Sequence, residues 1–219
     1  MLSTLIFLLT FFLNSSLIGI SPTFNESNFE IRICVGSECY DYIDDIVALW
    51  KIYYRNHQNI DLSKKVIQEK IQKICSDPTS FVAMVFHHDT LIAVIIGYAF
   101  INASMSNDII SNVVEDMHLA SKFYFHTGVA VALEYEKERK YLENVLLRKQ
   151  ELFAQSRGYK GICCIDQEVN KEIDAYTALE YKKFGITINN TWLVDSVKNQ
   201  SMHFWIKEFV RGRDNPICY

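Results

Sequence analysis

Between residues 123 and 165 a β-rich segment runs straight into a long helical pattern and out again into a short apolar strand, and few architectures admit that passage. Residues 123–133 are dense in aromatic, valine and alanine side chains. Residues 135–157 then place Leu142, Val145, Leu146, Phe153 and Ala154 on one helical face. Gly158 ends the helix in the expected way, and residues 162–165 form the second strand. Two strands joined through one helix pair in parallel by a right-handed crossover. The sequence therefore predicts a βαβ unit in a mixed sheet, with the Val129 to Val131 stretch beside and parallel to the Ile162 to Ile165 strand.

The remaining chain extends this α/β pattern. Residues 29–35 alternate apolar and polar side chains as a strand does, until Gly36-Ser37 breaks the run. Ile43, Ile46, Val47, Leu49, Trp50 and Tyr53 fall at helical steps over residues 42–54, and Val66, Ile67 and Ile71 repeat the habit over residues 62–74. Asp77-Pro78 stops the second helix. Residues 81–86 and 91–100 are β-rich and separated by His87-His88-Asp89-Thr90, a hairpin signature. Residues 102–112 read as a polar loop and residues 116–122 as the end of a helix. After residue 165, residues 171–184 are expected as a polar-faced helix stopped by Gly185, and residues 186–194 and 201–209 as strands. One domain is expected over residues 29–209, with 210–219 as a tail.

Residues 1–20 carry no charged side chain and are nearly all apolar from Leu5 to Leu13, so this leader partitions into a membrane. It reads as a cleaved secretory signal or as an uncleaved anchor extended through Ile20, which places the chain in the secretory pathway, extracellular or membrane-tethered. There the sequons at Asn25, Asn102, Asn189 and Asn199 become usable. Six cysteines, Cys34, Cys39, Cys75, Cys163, Cys164 and Cys218, form no familiar framework. Cys34 with Cys39 could close a small loop, and Cys163-Cys164 reads as buried thiols in an apolar strand. No zinc-like spacing is present, so no metal site is expected. A formal charge of −4 argues against a phosphate-backbone binder, so nucleic acid is not expected as a partner.

Two stretches carry a family resemblance. Gly128-Val129-Ala130-Val131-Ala132-Leu133-Glu134-Tyr135 is similar to the strand that leads into the acetyl-CoA loop of the GNAT (Gcn5-related) N-acetyltransferases. Leu179-Glu180-Tyr181-Lys182-Lys183-Phe184-Gly185-Ile186 is similar to that family's LYEKLGF signature. Gly158-Tyr159-Lys160-Gly161-Ile162 sits where the family turns into its next strand. The resemblance spans residues 29–209 and implies a GNAT-like mixed central β-sheet flanked by helices, behind the N-terminal hydrophobic leader. It also implies acetyl-CoA as cofactor and acetyl transfer to the primary amine of a small molecule or peptide.

By the same resemblance, the backbone of Val129 and Val131 holds the pantetheine arm, while Arg139, Lys140 and Tyr141 lie at the phosphate end. Tyr181 stands where the family has the general acid that protonates the leaving thiolate. The family loop reads roughly Arg/Gln-x-x-Gly-x-Gly/Ala, because small residues let bare amides at a helix start approach the pyrophosphate. Here those positions are Glu136, Arg139 and Tyr141, and Glu134 and Glu138 add further carboxylates. Like charges about 6 Å apart repel by roughly 1–3 kcal/mol before screening. The asparagine expected seven residues before Tyr181 is Asp174. The family's base positions fall on Thr127 and Phe125, neither of which serves, and strand alternation turns His126 to the other face unless a bulge intervenes. A binding module that has lost coenzyme chemistry is the alternative reading.

Overall fold

A computed structural model describes residues 28–57, 62–100, 102, 120–167, 180–189 and 201–209. The leader, residues 103–119 and 168–179, and the tail lie outside them, as do the expectations that fall there. Seven strands form one sheet in the order β1-β2-β3-β4-β5-β7-β6: β1 Phe29–Val35, β2 Phe81–His87, β3 Thr90–Ala99, β4 Phe123–Val131, β5 Gly161–Gln167, β6 Lys182–Asn189 and β7 Ser201–Glu208. Neighbours pair antiparallel except β4 and β5, which are parallel, so the sheet is mixed as expected. Helices α1 (Ile43–His57) and α2 (Lys64–Cys75) pack on one face, and α3 (Arg139–Ser156) on the other.

Each face is apolar for the reason the sequence shows. Ile46, Val47, Trp50, Ile67 and Ile71 of α1 and α2 join Val82, Met84, Val94 and Phe125 of the sheet. Leu142, Leu146, Leu147 and Ala154 of α3 meet Phe81, Ala83, Ile95, Tyr124 and Cys164. Burying each larger chain is worth about 1.5–3 kcal/mol. Ser63 starts α2 by accepting the Val66 N–H at 3.3 Å, an ordinary N-cap.

Two expectations change. The helix expected from residue 135 begins at Arg139, because Leu133–Tyr135 winds as a 3₁₀ turn and residues 136–138 continue as tight turns. The helix expected through Phe184 does not reach it, since Lys182, Lys183 and Phe184 open β6 and pair with Ile206, Trp205 and Phe204 of β7. The physical reason is Glu180, whose φ of 68° reverses the chain just before the strand.

Candidate active site: a splayed strand pair and its polar neighbours

β4 pairs with β5 from Phe123↔Gly161 to His126↔Cys164 and no further, although β4 continues to Val131 and β5 to Gln167. On its other side β4 stays paired with β3 as far as Ala93↔Val131. The βαβ unit is therefore parallel as expected, but the Val129 to Val131 stretch lies beyond the paired part. A strand edge with no strand partner is what an extended, amide-bearing ligand needs if it is to bond main-chain groups.

The end of β4–β5 pairing has a local cause. Between Ile95↔Val129 and Gly97↔His126, β3 advances two residues while β4 advances three, so β4 carries one extra residue. Gly128 absorbs it with φ 94°, a conformation that side chains rarely adopt. The Gly128 N–H donates to His126 Nδ1 at 3.2 Å, and the Thr127 hydroxyl donates to the Ile96 carbonyl at 3.1 Å. The bulge inverts the alternation. Before it, Tyr124 faces α3 and Phe123 and Phe125 face the opposite core; after it, Val129 and Val131 face α3 and Ala130 the other side.

That inversion settles the position of His126. It shares the α3 face with Val129 and Val131, and its ring lies 6.0 Å from that of Tyr181, edge to face. His126 is 1% exposed. Burial lowers its pKa to about 3, so the ring is neutral near pH 7, and acceptance of the Gly128 N–H leaves the ring proton on Nε2. Tyr181 is buried too, and desolvation raises its phenol well above the usual range, with Cys164 and Glu151 adding to the effect. A phenol so placed keeps its proton. Lys207 Nζ lies 5.8 Å from the Tyr181 ring centroid and bonds Glu151 Oε1 at 2.8 Å.

The expected phosphate end differs from a bare helix start. The N–H groups of Tyr135, Glu136, Glu138 and Arg139 donate to the carbonyls of Ala132, Leu133, Tyr135 and Glu136. Those four amides are engaged within the loop itself. Arg139, 7% exposed, is held by Glu136 Oε2 at 2.9 Å and Glu143 Oε1 at 3.1 Å. Its guanidinium thus faces two carboxylates of its own helix region. Tyr135 is anchored separately, with its hydroxyl 2.6 Å from His87 Nδ1. Lys137, Lys140 and Tyr141 are exposed.

The structure therefore brings Val129, Val131, His126 and Tyr181 to one face of the sheet, with Arg139, Lys140 and Tyr141 at the helix start that follows. Residue reasoning set His126 aside, and the signal that recovers it is Gly128 in mid-strand. A second signal lies at Glu180. Its left-handed backbone turns the chain directly into β6, so Tyr181 stands just before a strand and not within a helix.

No family model and no curated protein matches the sequence. Solved structures do match the fold. An N-acetyltransferase from Staphylococcus aureus superposes with a TM-score of 0.60 at 12% identity, covering 83% of this chain and 98% of that one. A putative acetyltransferase from Salmonella typhimurium, solved with its cofactor acetyl-CoA, gives 0.58 at 10% identity over 87% and 99%. A ribosomal-protein-alanine N-acetyltransferase from Brucella melitensis gives 0.59 at 10% identity over 82% and 99%. The fold is the GNAT fold, in a divergent sequence.

Proposed function

We propose that this chain is an N-acetyltransferase that moves an acetyl group from acetyl-CoA to a primary amine by direct attack, with no acyl-enzyme. The observation that carries the reading is the end of β4–β5 pairing at His126, which leaves the Val129 to Val131 main chain without a strand partner on the β5 side, just ahead of α3. An open strand edge of that kind suits the amide-bearing pantetheine arm. When bound, the coenzyme supplies an activated thioester. Val129 and Val131 hold the arm by main-chain bonds, and the bulge at Gly128, fixed by His126, sets the angle of that edge. Tyr181, protonated in its dry surroundings, stands as the proton donor to a departing thiolate; Tyr176 is the rival, since a left-handed Glu180 suits the glycine of the resembled signature and moves its tyrosine five positions earlier. The acceptor amine belongs to a small molecule or a peptide; the Brucella protein is named for a ribosomal-protein alanine.

The phosphate end fits less well, because its amides are engaged and Arg139 is neutralised. Lys137 and Lys140 remain to meet the phosphates, so coenzyme affinity is weak. That same observation favours a second reading, a domain that keeps the fold without the transfer.

Thermal shift with acetyl-CoA, paired with an acetyl-transfer assay on amine and peptide libraries, tests the proposal. A ligand at about 100 times its Kd adds roughly 2.7 kcal/mol of stability. Saturable stabilisation, with transfer reduced about 10²–10⁴-fold in Tyr181→Phe or Tyr176→Phe but not in both, supports the enzyme and identifies its acid. No stabilisation at millimolar acetyl-CoA leaves the second reading.

A further inference from the structure

Three cysteines outside the splayed strands meet where the first strand turns into the helical layer. Cys34 ends on β1, Cys39 sits in the 3₁₀ turn Gly36–Tyr42, and Cys75 is the last residue of α2. Cys39 and Cys75 are both 0% exposed, and Cys34 is 7% exposed. Their thiols are all free in this structure. The two segments are clamped together by the backbone, since Gly36 N–H donates to the Ser80 carbonyl at 3.1 Å just beyond α2. Within that clamp the Cys39 and Cys75 side chains are in hydrogen-bonding contact. Among the described residues no group of three His, Cys, Asp or Glu side chains has the geometry to hold a metal ion, so the trio does not read as a metal centre.

We infer that Cys39 and Cys75 form a disulfide when the chain folds in an oxidising compartment, with Cys34 left as a thiol. This replaces the sequence expectation of a Cys34–Cys39 loop. The choice of pair follows from contact, because Cys39 reaches across to α2 for its partner. The bond would enclose α1 and α2 in one covalent loop and staple the whole helical layer of that face to the end of β1.

The chemistry is thiol–disulfide exchange with the disulfide of an oxidoreductase or of oxidised glutathione. Whichever of the two thiols ionises first is the nucleophile, since a thiolate and not a thiol attacks a disulfide. It attacks the oxidant, one oxidant sulfur leaves as a thiol, and a mixed disulfide remains on that cysteine. The other cysteine then loses its proton and attacks the same protein sulfur, releasing the second oxidant thiol. Two protein thiols are oxidised and one oxidant disulfide is reduced. Since both sulfurs are buried in the finished fold, exchange happens before α2 closes onto the turn.

The test uses the full chain, reduced in urea, returned to buffer containing reduced and oxidised glutathione, then alkylated and peptide-mapped without reduction. The expected product joins the Cys39 peptide to the Cys75 peptide, and it persists in Cys34→Ser. Reduction of that product should lower Tm by roughly 5–15 °C, from the usual stabilisation by a disulfide and the size of the domain. Cys75→Ser should lose both the cross-link and the reductant-sensitive shift. If that variant fails to fold, the map of the parent chain and of Cys34→Ser decides. A Cys34–Cys39 or Cys34–Cys75 product overturns the pairing, as does full alkylation of Cys39 and Cys75 in the oxidised, cooperatively melting protein.

Discussion

Glu180 holds a left-handed backbone at φ 68°, where a Cβ costs roughly 1–2 kcal/mol. Glycine removes that clash but gains freedom in the unfolded chain, so Glu180→Gly should stabilise by about 1 kcal/mol net and raise Tm by about 2–4 °C. A lower Tm in calorimetry would mean that the Glu180 side chain contributes more than its strain costs. His126 makes a pH-dependent contribution of definite sign. Its folded pKa of about 3 lies below the ordinary histidine value, so the unfolded chain takes up the proton first as pH falls. The stability is therefore whole above about pH 6.5 and is lost on the way down toward pH 3, at up to about 1.4 kcal/mol per pH unit. Asparagine can keep an acceptor near the Gly128 N–H without titrating. Denaturant melts of His126→Asn between pH 7 and pH 4 should show a shallower loss than the parent; identical slopes would mean that His126 is charged or solvated in the fold.

At the start of α3, Arg139 and Glu143 are 7% and 4% exposed, and their bond measures 3.1 Å. Removing one member of a buried pair strands the other, a loss of about 3–5 kcal/mol, whereas replacing both with apolar residues is often neutral. Arg139→Met should accordingly destabilise by that order, and Arg139→Met with Glu143→Leu should recover most of it in urea titrations. If the single variant is neutral, Arg139 is not a structural cation and is available to a ligand. The same helix shows what could be read beforehand. The β1, β2–β3 hairpin and β4-α3-β5 elements were legible because their apolar patterns are long and their breaks carry Gly, Pro or a turn pair. Residues 135–138 were read into the helix because 3₁₀ or tight turns and an α-helix share nearly the same spacing over so short a span. Lys182 to Phe184 were misread since nothing in a glutamate announces a positive φ. Of the candidate site, the strand that carries Val129 and Val131 was legible from its apolar pattern, while their role there came from the family resemblance alone. That strand's orientation and the place of His126 were not legible, because one bulge residue exchanges the faces of all that follows.

The described residues form a sheet covered on its two faces by α1 with α2 and by α3, and their surface bears on the leader reading. If residues 1–20 bring the chain into the secretory lumen, as the apolar leader leads us to propose, the four sequons compete for glycan on accessibility. Asn102 is half-buried, and its Nδ2 donates to Asp77 Oδ2 at 2.9 Å, while Asp77 Oδ1 also accepts from the Thr79 N–H and hydroxyl at 2.8 Å. A glycan on Asn102 would have to break that bond and disturb the turn between α2 and β2, where Ser80 accepts from Gly36. Asn25 and Asn199 stand in polar sequence surroundings outside the described residues. The full chain expressed in a eukaryotic secretory system should therefore shift on a gel after endoglycosidase treatment. That shift should survive in Asn102→Gln and shrink in the Asn25→Gln and Asn199→Gln double variant. An unshifted band in a cytosolic fraction would refute the leader reading. A shift abolished by Asn102→Gln alone would refute the accessibility argument, because the amide would then have to be free of Asp77 when the glycan is attached.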